Sequence, residues 1–80
     1  MNDKFRQIDF KIATMESNNT AYGSQMEDAT GEYIALVRQY KDQLGAGEAA
    51  RRLVEKGDEL GPYCFICKST LYDEAKKYTG

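Results

Sequence analysis

Histidine and tryptophan are absent from this sequence of 80 residues. Without histidine, the chain lacks the commonest general base of enzymes and the commonest nitrogen ligand of zinc. A Ser-His-Asp catalytic set is therefore excluded. A glycine-rich phosphate loop is also missing, because Gly45-Ala46-Gly47 is not followed by Lys and then Ser or Thr. The sequence predicts a protein that is not an enzyme and has no cofactor.

Long apolar runs and a strong net charge of either sign are missing as well. No stretch is apolar enough to span a bilayer, and the first residues show no basic-then-apolar signal pattern, so we expect a cytoplasmic protein that does not contact membranes. The 11 basic and 13 acidic residues give a net charge of −2. Domains that bind duplex DNA usually carry a clear basic excess, so this balance argues against nucleic acid as the partner.

The short length limits the architecture. Hydrophobic residues make up 41% and charged residues 30% of the chain, which is ordinary for a globular protein. We therefore predict a single helical domain over residues 1–80. A chain of this size buries only about 60–65% of the surface that its unfolded form exposes, so a homodimer interface would add to its stability.

The spacing of apolar residues predicts an all-α fold, a small bundle of three to four helices. Over residues 3–16 a helical pattern (Phe5, Ile8, Ile12, Met15) competes with a shorter strand-like alternation around Phe10, and helix is favoured because its pattern is longer. The second helix, about residues 25–44, is opened by a capping-box pair, Ser24 before its first turn and Glu27 within it. Its expected buried face contains Met26, Ala29, Tyr33, Leu36, Val37, Tyr40 and Leu44.

Two more helices are expected, over about residues 47–60 and 62–78. The apolar face of the third consists mostly of small residues, which would let a neighbouring helix approach closely: Ala46, Ala49, Ala50, Leu53, Gly57 and Leu60. Gly61 is expected to break this helix, and Pro62 suits the first turn of the fourth. The fourth helix has an apolar stripe formed by Cys64, Cys67, Leu71, Ala75 and Tyr78, flanked by Tyr63 on one side and by Phe65 and Tyr72 on the other.

Cys64 and Cys67, the only cysteines, admit three interpretations. As zinc ligands they would need a second chain to complete a Cys₄ site, because a structural zinc takes four ligands. That arrangement is similar to the zinc hook. As a redox pair, Pro62-Tyr63-Cys64 resembles the middle of the glutaredoxin Cys-Pro-Tyr-Cys motif, with Gly61 where that motif has its first cysteine. The third interpretation, core packing, is preferred because the helical period alone predicts both positions.

A DNA-binding alternative rests on a resemblance to helix-turn-helix domains. Residues 48–53, Glu-Ala-Ala-Arg-Arg-Leu, resemble the first helix of that motif, and residues 69–72, Ser-Thr-Leu-Tyr, resemble the start of its recognition helix. The resemblance implies a small DNA-binding regulator in which Arg51, Arg52 and Lys56 contact phosphates.

The preferred function is binding to a protein partner without catalysis. Tyr22 lies in a polar loop without a predicted core role, and tyrosine is enriched at protein interfaces. We take it as a candidate partner contact, together with Arg51, Arg52 and Lys56. The sequence predicts an inhibitor or accessory factor of a larger protein complex, similar in general character to phage-encoded anti-defence inhibitors. A DNA-binding regulator and a zinc-bridged homodimer are the alternatives.

Overall fold

Four helices make up the part of the chain that the structure, a computed structural model, describes, which is residues 3–18 and 23–79. They are α1 (Asp3–Ser17), α2 (Gly23–Leu44), α3 (Ala46–Leu60) and α4 (Phe65–Thr79). No strand occurs within these ranges, so the predicted all-α bundle is confirmed. Residues 3–16, for which helix was favoured over strand, lie within the helix α1. None of the described helices is both long and apolar enough to cross a bilayer.

α2 is the central helix, because it contacts each of the other three. Its predicted face is confirmed: Met26, Ala29 and Val37 are fully buried, and Tyr40 and Leu44 pack partly buried against the core. Thr30 and Ile34 are also buried, although neither lies on that stripe. A helix with neighbours on several sides needs an apolar face wider than the single stripe of a surface helix.

The start of α2 differs from the prediction. The helix begins at Gly23, so Ser24 lies in its first turn and is not the residue that caps it. The Ser24–Glu27 spacing therefore marked the region where the helix starts but not its first residue, which is the least certain part of any helix assignment.

α1 is held by a mixture of apolar and charged contacts. Its four predicted core residues, Phe5, Ile8, Ile12 and Met15, are all buried. The Phe5 ring meets the Tyr33 ring of α2 edge-on, with centroids 5.7 Å apart, and the Arg52 guanidinium of α3 lies 4.7 Å from the Phe5 centroid. Lys11 donates to Glu32 of α2 at 2.9 Å, an exposed pair that contributes little to stability.

A single residue, Gly45, connects α2 to α3. Its N–H donates to the carbonyl of Lys41 at 2.8 Å and so closes α2, while its own carbonyl accepts from the N–H of Ala49 at 2.9 Å and so opens α3. The backbone there has φ +86°, a conformation that costs glycine little and strains other residues. α2 ends at Leu44, the end predicted for the second helix.

The most extensive helix contact in the bundle is between α3 and α4. The small residues of the predicted α3 face are buried at Ala49, Ala50 and Gly57. Gly57 lies close to α4, since an added Cβ would lie 2.9 Å from two ring carbons of Tyr72. Ala46, which the same spacing assigned to this face, is exposed at the first position of α3.

Glu74 links α4 to α2 from a buried position. Its carboxylate accepts two hydrogen bonds from Arg38, at 2.8 Å from Nε and 2.9 Å from Nη2, and pairs with Lys77 at 3.2 Å. The side chain of Glu74 is only 5% exposed, whereas that of Arg38 is 57% exposed. The Arg38 hydrogen bond, against the opposing effect of burial, holds the pKa of Glu74 at about 2.

Replacing Gly45 tests the one-residue connection. We expect Gly45→Ala to lower the free energy of unfolding by about 1 kcal/mol or more, because alanine is strained at a positive φ. The matched control is Gly47→Ala, which meets no atom within 4 Å and lies inside α3. Alanine should raise helix stability there by ~0.5–1 kcal/mol. Urea unfolding of both variants checks this, and equal shifts of the two midpoints would contradict it.

Glu74→Gln tests the Arg38 pair through its pH dependence. The folded pKa of about 2 lies below the usual 4.5. The pair therefore adds stability that is complete above the unfolded pKa and is lost as the pH falls through the folded pKa. We expect a loss of ~2 kcal/mol near neutral pH, reduced from the full linkage value because Arg38 is exposed to solvent, and almost none below the folded pKa. Urea unfolding at the two pH values measures this loss. Asp73→Asn, at an exposed carboxylate on the same helix, is the control.

Candidate protein-interaction site

The chain reverses between α3 and α4 in residues 61–64. The N–H groups of Tyr63 and Cys64 both donate to the carbonyl of Leu60, at 2.9 Å and 2.8 Å. These two bonds form a tight turn directly after α3, so α4 cannot begin before Phe65. Pro62 consequently lies in the turn, and the prediction that it opens a helix over residues 62–78 was wrong.

Cys64 occupies the position that caps α4. Its carbonyl accepts the N–H of Lys68 at 3.1 Å, which starts the helical ladder, and its Sγ accepts the N–H of Cys67 at 3.1 Å. A side-chain acceptor at this position usually satisfies one of the free N–H groups of a first turn. Here sulfur, a weak acceptor, takes the place of the usual oxygen.

Cys64 and Cys67 are joined by a disulfide, with their Cα atoms 5.2 Å apart. Cys67 is 1% exposed and lies in line with Leu71 and Ala75 on the buried face of α4, so the core position predicted for it is confirmed. Cys64 packs against the same core and is partly exposed. The two sulfurs are bonded to each other, a bond that the preferred interpretation of core packing did not include.

The metal interpretation gains no further ligands from the fold. Within residues 3–18 and 23–79, no group of three or more His, Cys, Asp or Glu side chains is arranged to hold a metal ion. Both sulfurs that the zinc-bridged homodimer requires are used by the disulfide. A Cys₄ site would therefore need the disulfide to be reduced first.

The turn and the first residues of α4 expose three large apolar side chains. Phe65 is 76% exposed, Ile66 65% and Tyr63 47%. Phe65 was expected to flank the buried stripe, and this was wrong because Phe65, two positions before Cys67, lies on the opposite side of α4 from Cys67 and Leu71. We call the side chains of Tyr63, Phe65 and Ile66 the cysteine-turn surface. Clustered exposed apolar residues of this kind mark interaction sites.

A shallow groove of about 340 Å³ runs from Phe65 along α4 and has a polar rim formed by Lys68, Ser69, Tyr72, Asp73 and Lys76. The Lys68 ammonium lies 5.5 Å from the centroid of the Tyr72 ring, and the Tyr72 hydroxyl donates to the carboxylate of Asp58 on α3. That hydrogen bond, with some burial, raises the pKa of Tyr72. The rim thus carries both signs of charge around an apolar end.

The predicted contact residues Arg51 and Arg52 lie on α3, where each is paired within the chain. Arg51 donates to Glu48 at 2.9 Å and to Glu55, and these carboxylates raise its pKa. Arg52 donates to Glu48 at 3.1 Å and covers the Phe5 ring. Neither arginine adjoins the groove beside α4, whose lining residues all belong to that helix. Both remain candidate contacts of a partner.

Lys56, the third predicted basic contact, is 7% exposed. Its ammonium donates to Asp9 of α1 at 2.7 Å and to Glu59 at 3.3 Å, and it lies 5.3 Å from the Tyr33 ring centroid. Burial lowers the pKa of Lys56, but the Asp9 hydrogen bond and the two carboxylates outweigh that effect and raise it overall. The ammonium thus connects α3 to α1 through its hydrogen bond to Asp9.

Glu16 lies near this network with one carboxylate oxygen buried and without a hydrogen-bond partner. Burial, and then the charge of Glu59, raises the pKa of Glu16. Glu16, Glu59 and Lys56 thus form a charged cluster between α1 and α3.

Two predicted features remain, the partner contact Tyr22 and the segment of residues 69–72. Tyr22 lies outside the described residues. The segment that resembles the start of a recognition helix, residues 69–72, lies inside α4, which begins at Phe65. α4 thus starts four residues before this segment, and the DNA-binding alternative stays a prediction.

Comparison with known proteins adds no family to these observations: no protein-family model, curated protein or solved structure matches this chain. The candidate site therefore rests on the geometry of the turn alone.

Proposed function

We propose that this protein is a non-catalytic binding protein whose cysteine-turn surface anchors it to a protein partner, as an inhibitor or accessory factor of a larger complex acting in the cytoplasm. One observation carries the proposal. Tyr63, Phe65 and Ile66 are exposed within one four-residue segment, where a disulfide and the capped start of α4 fix the backbone. Preorganised apolar side chains lose little conformational entropy on binding, which favours their use as anchors.

The size of the surface suits an anchor and not a whole interface. From the usual areas of such side chains, the three present about 350–400 Å² to a partner. A stable interface needs about 800 Å² on each side, so roughly half must come from the surroundings. The groove rim, with Lys68, Asp73 and Lys76, offers the polar contacts that commonly surround a buried anchor.

A different protein suits this surface better than a second copy of the chain. The accessible surface is 4971 Å², close to the ~4,900 Å² that a folded monomer of this mass exposes. The radius of gyration is 11.9 Å, near the ~11.6 Å expected for a domain of this length. The core is therefore already closed within one chain. The mixed charge of the rim also favours a protein over a nucleic acid, which would require a basic excess.

Serine substitutions test the proposal. We expect Phe65→Ser, and separately Ile66→Ser, to weaken partner binding by roughly 30-fold or more, since an aromatic or aliphatic anchor contributes about 2 kcal/mol or more. The partner is captured from the native host with the oxidised chain, purified, and titrated against each variant. Phe10→Ser is the matched control, because Phe10 is 75% exposed on α1, away from the turn, and Phe65 is 76% exposed.

Binding by the control variant and the oligomeric state of the chain show whether the proposed surface is correct. The Phe10→Ser variant should bind as tightly as the unmodified chain, and all variants should elute from gel filtration as monomers. Equal loss of binding in the Phe10 and Phe65 variants would contradict the proposed surface. Elution of the unmodified chain as a dimer that Phe65→Ser dissociates would assign the surface to a second copy instead.

A further inference from the structure

We propose that the Cys64–Cys67 disulfide is a thiol–disulfide exchange site for an external dithiol, and that Sγ of Cys64 is the atom attacked. This inference does not depend on the proposed partner binding. Three features of the turn carry it: the short span of the bond, the unequal exposure of the two cysteines, and the N–H group that faces the Cys64 sulfur.

The bond does not hold distant parts of the fold together. It joins residues three apart, at the capping position and in the first turn of one helix, and it links no two helices. Their Cα atoms are 5.2 Å apart, and helical geometry alone places residues at this spacing about 5 Å apart. The same backbone therefore accommodates either two thiols or the disulfide. Disulfides stabilise mainly by closing long loops, and this loop is among the shortest possible.

The two cysteines differ in how far a reagent can reach them. Cys67 is 1% exposed and packs in the core with Leu71 and Ala75. Cys64 is partly exposed and stands between Tyr63 and Phe65, both of which point into solvent. Exchange rates depend on which sulfur can be reached, so access directs the attack to Cys64.

The exchange proceeds in two balanced steps. A thiolate of the dithiol attacks Sγ of Cys64, the Cys64–Cys67 bond breaks, and Cys67 leaves as a thiolate that takes up a proton. The second thiol of the reagent, once deprotonated, then attacks the reagent's first sulfur, which is bonded to Cys64 in the mixed disulfide. This step releases Cys64 as a thiolate. The dithiol is oxidised to a disulfide, and the two cysteines are reduced. In reverse, an oxidised dithiol accepts the electrons and restores the bond.

The structure accommodates both products. A thiolate at Cys64 keeps the Cys67 N–H, which already lies 3.1 Å from this sulfur, and it lies at the N-terminus of the 15-residue helix α4. Helix N-termini stabilise thiolates. A protonated Cys67 stays in the core, where free cysteine behaves as a small hydrophobic residue. Reduction should therefore leave the bundle folded.

Single-cysteine variants test which sulfur reacts. With an aromatic disulfide reagent, Cys67→Ser, which leaves Cys64, should react at least about 100-fold faster than Cys64→Ser, which leaves the buried Cys67. Equal rates, or faster reaction of Cys64→Ser, would overturn the assignment of Cys64. Circular dichroism establishes that each variant is folded before its rate is compared.

The unmodified chain provides a second test that does not depend on the variants. Dithiothreitol, followed by alkylation and mass analysis, should reduce the disulfide in the absence of denaturant while the helical circular dichroism stays unchanged. With glutathione in place of dithiothreitol, peptide mapping should find the mixed disulfide on Cys64. Reduction only after urea unfolds the chain, loss of helix on reduction, or a mixed disulfide on Cys67 would each overturn the proposal.

Discussion

The close approach of α3 and α4 at Gly57 is the contact on which the rest of the structure depends. A Cβ at this position would lie 2.9 Å from two carbons of the Tyr72 ring, so a larger residue would crowd that ring at the present separation of the helices. The contact brings Leu71 beside Gly57, and Leu53 and Leu60 of the same helix are fully buried. A tight turn over residues 61–64 connects the two helices.

The exposed surface follows from how that turn ends. Once Cys67 is placed in the core in line with Leu71, the two residues before it, Phe65 and Ile66, lie on the other side of the first helical turn. Cys64 is then at the capping position, within bonding distance of Cys67. The anchor residues and the disulfide are thus two consequences of the same packing. This explains why reactive sulfur and exposed apolar side chains occur together at one end of the bundle.

Helical periodicity predicted most of the fold because burial follows it closely. Phe5, Ile8, Ile12 and Met15 were all identified, and α1, α2 and α3 begin and end within two residues of the predicted bounds. The candidate site was predicted less well. Phe65 was expected to flank the buried stripe, because no local pattern reveals the two hydrogen bonds to Leu60 that precede the start of α4. Lys56 was expected at the surface, since nothing near it in the sequence indicates that Asp9 lies beside it in space.

The central claim, that the Gly57–Tyr72 contact holds α3 against α4, is tested most directly by a double-mutant cycle measured by urea unfolding. In the unmodified chain, Gly57→Ala should destabilise the fold by about 1–2 kcal/mol, because crowding against the Tyr72 ring outweighs the better helix propensity of alanine. In a Tyr72→Ala background the crowding is absent, and the same substitution should instead stabilise the fold by up to ~1 kcal/mol. A change of the same sign and size in both backgrounds would contradict the account.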